Sequence, residues 1–373
     1  MRKRLRLGFV VLLVLAALSP GAIALEAGGE VKALWSAVLK DGSDFDSELA
    51  ESFNLELFLP PLGESELRYE FLVTKPLQGL LADEKALYST KKLYLKHRFE
   101  RLHLTLGRQP ISWSFGSLLN PVDYTLGAVA LNEESSSKYT DAVALYVPLN
   151  WNSGLDLVVS FPGGFSAETD RMKRGVRARL GVYGYDVTLN YVEEAPGGAI
   201  SDSLALVAMP RQRMGLTAKG DVGNFGVYGA FGHYYDEHSG SSRSYLAGAD
   251  WSYSLDYNTK ITMQLEYLGL ELHSFSPAVL EKLPGMQGSD QRLDLLAGRA
   301  SYPIDDFSAV SLVSIYNLDD RSFLLGPSYR STLPRNTDLI LSASVFCGRE
   351  HTLFAPGELM PRAVVSLGMS YAF

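Results

Sequence analysis

One cysteine, Cys347, stands in a chain of 373 residues. No intramolecular disulfide can form, so the fold closes by other means and a buried, inert thiol is the simplest role for Cys347. Long apolar runs are scarce as well. After residue 24 no continuous stretch is long enough to cross a bilayer as a helix, which takes ~20 apolar residues. Basic charge is in deficit: 34 Lys+Arg stand against 42 Asp+Glu, a net charge of −8. An acidic chain argues against nucleic acid as a partner. Catalytic signatures are missing too, with neither a GxSxG elbow nor an HExxH pair. No enzymatic activity and no cofactor are therefore expected. His233, Asp236, Glu237 and His238 lie close together, but their spacing fits no standard metal site. No composition shift or Pro/Gly/Ser linker divides the chain, and residues 25–373 read as one domain.

What is present begins with a leader. Arg2, Lys3, Arg4 and Arg6 form a basic start, Phe9 to Leu18 an apolar centre, and Ala22-Ile23-Ala24 a small-x-small cleavage site. Residues 1–24 have the layout of a secretory signal peptide, too short and wrongly flanked for a transmembrane helix. No Cys follows the cleavage site, so a lipoprotein anchor is not expected. The mature chain then begins at Leu25 and leaves the cytoplasm. Without the four basic residues of the leader, 30 Lys+Arg face 42 Asp+Glu, and the net charge is −12.

Hydrophobic residues make up 46% of the sequence, with 20 Tyr and 17 Phe, yet they do not run together. They alternate. In Glu48 to Leu59, Phe53, Leu55, Leu57 and Leu59 share one face while Ser52, Asn54, Glu56 and Phe58 share the other. In Glu66 to Lys75, Leu67, Tyr69, Phe71 and Val73 oppose Glu66, Arg68, Glu70 and Thr74. The pattern recurs at 91–99, 102–106, 173–182, 186–192, 211–219, 261–269 and 338–346, and period two means strands with two unlike faces. A soluble sandwich alternates in the same way, so the connections have to decide. Short turns are expected at 60–63, 100–101, 150–152, 184, 221–224, 256–258, 304–306 and 334–336. Longer polar connections are expected at 40–47, 76–89, 114–138, 161–170, 194–206, 236–242, 273–291, 318–321 and 348–359. Short and long alternate, as in an up-and-down barrel. Eight turns and nine loops join eighteen strands, with sixteen as the lower count. Aromatics gather near the proposed turns, at Phe99, Trp151, Tyr183, Tyr185, Phe225, Tyr253, Tyr257, Tyr302 and Phe307, where an interfacial girdle would lie.

The last stretch, Arg362 to Phe373, places Val365, Leu367, Met369, Tyr371 and Phe373 on one face and ends the chain on an aromatic carboxylate. It resembles the terminal strand of bacterial outer-membrane β-barrels. The resemblance implies an all-β, transmembrane, up-and-down antiparallel β-barrel of 16–18 strands, set in the outer membrane with both termini periplasmic. Tyr371 and Phe373 would then be the signal read by the barrel-insertion machinery. The segment GRQPISWSFGSLLNPVDY, Gly107 to Tyr124, is similar to a pattern of porin-like and alginate-export-like barrels through Gly107, Arg108, Gln109, Trp113, Asn120, Pro121 and Asp123. Ser114 departs from the Gly of that pattern.

A barrel of this size holds water, so its inward residues can be charged. Alternation turns Lys92, Lys96, Arg98, His103, Lys173, Arg177, Arg179, Arg211, Arg213 and Lys219 inward, with Glu56, Glu66, Glu70, Asp186 and Glu266. The basic residues share neighbouring strands and are expected to line the pore. Ser114–Lys138, the longest loop, is expected to narrow it, with Trp113, Asn120, Asp123, Glu133 and Glu134 at the constriction. Its acids would face the basic wall and produce a transverse field with mild anion preference. The function expected is a porin or substrate-selective diffusion channel for small hydrophilic or anionic solutes. An exporter pore for an anionic polysaccharide and an adhesive barrel that binds a partner through its outer loops are the alternatives. Outer-membrane lipid is the expected surrounding, and a homotrimer is compatible with the strand pattern.

Overall fold

A computed structural model describes residues 26–40, 45–75, 87–111, 113, 118, 139–161, 164–165, 172–194, 211–237, 240–255, 259–271, 292–357 and 360–373. The leader lies outside the described residues. The strands are β1 (Glu26–Leu39), β2 (Phe45–Phe58), β3 (Ser65–Thr74), β4 (Leu87–Arg98), β5 (His103–Pro110) and β6 (Tyr139–Asn150). They continue with β7 (Ser153–Phe161), β8 (Lys173–Val182), β9 (Tyr185–Glu194), β10 (Gln212–Val222), β11 (Phe225–Asp236) and β12 (Gly240–Ser254). The last six are β13 (Lys260–Glu271), β14 (Arg292–Pro303), β15 (Ser308–Asn317), β16 (Phe323–Leu333), β17 (Thr337–Cys347) and β18 (Ala363–Ala372). Each pairs antiparallel with the next, and β18 pairs with β1, so the eighteen form one closed ring. This is the upper of the two counts expected from the sequence.

Alternation explains the two faces of the ring. In β13, Met263, Leu265 and Tyr267 point outward, while Thr262, Gln264 and Glu266 point inward. Leu265 is 55% exposed while Glu266 is fully buried, the reverse of a water-soluble sheet and the arrangement of a wall whose apolar side meets lipid. Among the described residues, outward charges lie mostly toward the strand ends nearest the long loops. They include Arg108 and Asp141, Arg174 and Glu193, Arg243 and Glu271, and Arg292 and Asp294. The opposite end carries exposed aromatics, with Trp151 at 94% and Tyr183 at 98%. An apolar band lies between these two belts.

Most of the short connections fall at the aromatic end. Tyr183 and Gly184 both take positive φ, 51° and 84°, in the two-residue turn between the paired Val182 and Tyr185. Its twist matches that of the strands it joins. The expected turn at 256–258 lies outside the described residues. One expected loop, 236–242, is instead a tight hairpin: pairing runs out to Asp236 and Gly240, and Gly240 supplies the positive φ of 82°. The loop expected at 318–321 is short as well, because Asn317 and Ser322 are already bonded to each other.

Closure is made by the chain's end. The Phe373 N–H donates to the Gly29 carbonyl and the Gly29 N–H donates to the Phe373 carbonyl, each at 3.0 Å. The Phe373 ring stacks 6.1 Å from Phe53 and 6.4 Å from Tyr371. It lies over Gly29, where an added Cβ would sit 2.6 Å from the ring. The last residue therefore zips the seam between β18 and β1. Deleting Phe373 or placing Val at Gly29 is expected to lower the fraction of heat-modifiable, folded barrel in membrane fractions. Normal folding of both variants would show that the seam does not need the ring.

The face assignment has its own test. Arg in place of outward Leu265 or Leu341 is expected to cost ~2–4 kcal/mol near the bilayer midplane, and Arg at inward Gln264 or Ser342 much less. Folding titrations in lipid vesicles read the difference, and equal costs at both parities would contradict the assignment.

Candidate functional site

The inward face carries three charged groups on β2 to β10. The first surrounds Glu70 on β3. A β-bulge in β4 opposite Glu70 and Phe71 adds one residue, and both Lys91 and Lys92 reach the carboxylate, at 3.6 and 2.5 Å. The Asn54 amide donates to Glu70 at 2.9 Å, and Lys92 also lies 3.7 Å from Glu56. Lower on the same wall, Arg68 donates to Glu66 at 2.5 Å and Arg98 stands 3.9 Å from it. Lys96 shares the inward parity of Lys92 and Arg98, and His103 sits across from Tyr146 with ring centroids 5.5 Å apart.

The second group is centred on Asp156 of β7. Arg177 and Arg179 of β8 both approach it, with Nε–Oδ2 distances of 3.0 and 3.3 Å. The Arg177 guanidinium covers the Trp113 ring at 5.0 Å and Arg179 covers Tyr146 at 5.1 Å. The third is centred on Glu194 at the end of β9, which accepts from Arg213 at 2.8 Å and lies 3.0 Å from Lys173. Arg213 is fully buried, and its Nε and Nη2 have no hydrogen-bond partner among the described residues. Arg211 precedes β10, donating to Glu237 at 2.6 Å and to the Glu194 carbonyl at 3.3 Å.

These cations therefore do not form a bare basic wall, because the wall itself supplies carboxylates to them. Their carboxylates come mostly from the neighbouring strand, because inward residues directly across a ladder lie ~5 Å apart. Asp156 and Glu194 were not among the residues singled out in the sequence. Asp156 alternates with Val158 and Ser160 on a strand whose period is visible, whereas Glu194 falls where a loop was expected.

The segment after β5 enters the lumen. Ile111 and Trp113 are buried against Ala142, Val158, Val192 and Tyr234, all inward residues. Further on, the Leu118 N–H donates to Glu266 of β13 at 2.9 Å. β13 stands eight places from β5 in an eighteen-membered ring, so the loop crosses to the far wall. Asn120, Asp123, Glu133 and Glu134 lie outside the described residues. Two residues of the sequence motif have local structural roles. Gln109 is buried and donates to the Ala142 carbonyl at 3.2 Å, and outward Arg108 donates to the Thr90 carbonyl at 2.6 Å with Asp141 3.9 Å away.

A second connection also turns inward, which was not anticipated from the sequence. Leu353, Phe354 and Ala355, between β17 and β18, are buried, the first two in a cluster with Tyr228, Leu246, Leu268, Leu295 and Ala297. Asp320 and Ser322 hold the turn by accepting from the Leu353 and Phe354 N–H groups at 2.6 and 3.2 Å. The available signal was an apolar triplet in a connection otherwise polar. This cluster fills the lumen beside β11 to β15. The side at β17, β18 and β1 stays open: Leu34 and Ile340 both point inward, flank Gly368, and remain 43% and 42% exposed. Among the described residues no group of three His, Cys, Asp or Glu could hold a metal ion.

No protein-family profile matches the sequence, and no curated protein does. Solved structures do match. OccAB1 of Acinetobacter baumannii aligns over 95% of this chain and 98% of its own, with a TM-score of 0.59 and 9% identity. A BenF-like porin of Pseudomonas fluorescens Pf-5 aligns over 94% and 98%, with a TM-score of 0.57 and 11% identity. The chain has the fold of these porin barrels. Wzi of Escherichia coli, described as a carbohydrate-binding β-barrel involved in group 1 capsule assembly, aligns over 92% of this chain and 84% of its own, at 0.55 and 13%.

Removing the carboxylate of Glu194 while keeping its shape, as Glu194→Gln, leaves Lys173 and buried Arg213 without their anion. A loss of ~3 kcal/mol is expected on breaking such a pair from one side. Urea unfolding of the refolded barrel measures it, and a loss below ~1 kcal/mol would show that lumenal water solvates both cations.

Proposed function

We propose that this chain is an outer-membrane porin, a substrate-selective diffusion channel whose turns and termini face the periplasm and whose long loops face outward. The observation that carries the reading is the lumen itself. Large apolar side chains that point inward, Leu34 and Ile340, stay exposed, and Arg98 and Arg179 keep 54% and 44% of their side-chain surface open. A structural barrel with a packed interior would bury them. The fold likeness to OccAB1 and the BenF-like porin supports the same reading. Solutes pass the narrowing made by Trp113 and Leu118 along the charged side of the wall. Arg177 and Arg179 share the single carboxylate of Asp156, and Arg179 keeps 44% of its side-chain surface open, which favours anionic over cationic solutes. Outer-membrane lipid covers the apolar band, the insertion machinery reads Tyr371 and Phe373, and a homotrimer fits the same wall.

The second reading is a barrel that handles polysaccharide, favoured by the likeness to Wzi. Liposome swelling separates the two. Vesicles carrying the refolded barrel are expected to swell in small uncharged sugars and small organic anions, faster than empty vesicles. Swelling equal to that of empty vesicles, with the barrel folded, would overturn the channel reading and favour a carbohydrate-binding barrel. In addition, replacing Arg177, Arg179 and Arg213 together by Ser is expected to shift the reversal potential toward cations under a salt gradient. An unchanged potential would place these residues off the conducting path.

A further inference from the structure

Glu266 has an environment unlike that of the other lumenal acids. It sits in the middle of β13, points inward and is fully buried, and the groups bonded to it include a phenol and a backbone amide, whereas buried Glu70 is held by Lys91 and Lys92. A carboxylate withdrawn from water needs donors for both oxygens. Its donors include the Tyr228 hydroxyl, 2.6 Å from Oε1, and the Leu118 backbone N–H, 2.9 Å from Oε2. Tyr228, Gly248 and Glu266 occupy one rung across β11, β12 and β13. Gly248 is what lets the tyrosine lie across that rung, since a Cβ there would sit 2.3 Å from its ring. Leu118 packs on the apolar cluster that contains Tyr228, Leu246, Leu268 and Phe354. The loop that leaves β5 thus meets a prepared seat on the far wall.

We infer that Glu266 is a positioning residue that, with Tyr228 and Gly248, catches the inner loop at Leu118 and so sets a steady pore width. The carboxylate serves as a fixed acceptor for a loop amide, and the solute does not touch it. The bond holds Leu118 over the filled side of the lumen, beside β11 to β15, away from the charged groups around Glu70 and Asp156. Releasing the catch lets the loop wander into the solute path beside them. The inference rests on the channel reading for its consequence, pore width, but not for the catch itself.

The test uses the full-length barrel refolded in detergent and then in a planar bilayer. Glu266→Ala removes both acceptors. Tyr228→Phe leaves the carboxylate and removes one donor, and serves if Glu266→Ala folds poorly. Amide hydrogen exchange of the peptide containing Leu118 reads the catch directly. Protection there is expected to fall about tenfold or more in Glu266→Ala and less in Tyr228→Phe, the size of a lost charge-assisted bond. Single-channel records are expected to show smaller mean and noisier open currents, with brief interruptions, in the same order. Unchanged exchange at Leu118 in folded Glu266→Ala would overturn the catch. Faster exchange with identical open current and noise would overturn its role in pore width. A wild-type barrel that passes no current would overturn the channel reading, while the exchange result still decides the catch.

Discussion

In hydrocarbon, an unpaired backbone N–H or C=O costs several kcal/mol, and no water is present to satisfy it. Every other feature of this chain follows from that constraint. A sheet that spans the membrane cannot keep an edge, so β18 returns to β1 and the last residue of the chain bonds to Gly29. A ring of strands has one face in lipid and one in its own interior, so side chains must alternate. No long apolar run is needed, and a net acidic chain with abundant aromatics can still be a membrane protein.

The same closure creates the inside. A ring of eighteen strands is too wide for side chains alone to fill, and this chain fills it unevenly. Leu353 and Phe354 from one loop and Leu118 from another cover the apolar wall of β11 to β15. Ile111 and Trp113 cover part of β6, β7, β9 and β11. What remains open is bordered by exposed Leu34 and Ile340 and by the charged groups around Glu70 and Asp156. Asp156 and Glu194 are each shared by two cations, Arg177 with Arg179 and Lys173 with Arg213, so each carboxylate steadies the wall while its group keeps a net positive charge.

Much of this was legible in the sequence. The period-two pattern, the short turns and the terminal Phe373 led to the ring and to its upper strand count, since each is a local signal. The inward parity of Lys92, Arg177 and Glu266 was legible for the same reason. Contacts between distant segments were not. Nothing local says that Leu118 finds Glu266, 148 positions later, or that Leu353 finds Asp320. The second lysine at Glu70 depends on a bulge, which shifts parity by one residue and leaves no mark in the alternation. The 236–242 hairpin was read as a loop because its polar residues look like one, whereas cross-strand pairing and the positive φ of Gly240 make it a turn.

The central claim is that a closed, apolar-walled ring encloses a continuous water path biased toward anions. Single-channel recording of the refolded, full-length barrel in a planar bilayer under a salt gradient tests it most directly. Stepwise, lasting current increments are expected, with a reversal potential displaced toward that of the anion. Folded barrel that inserts and passes no current would contradict the claim.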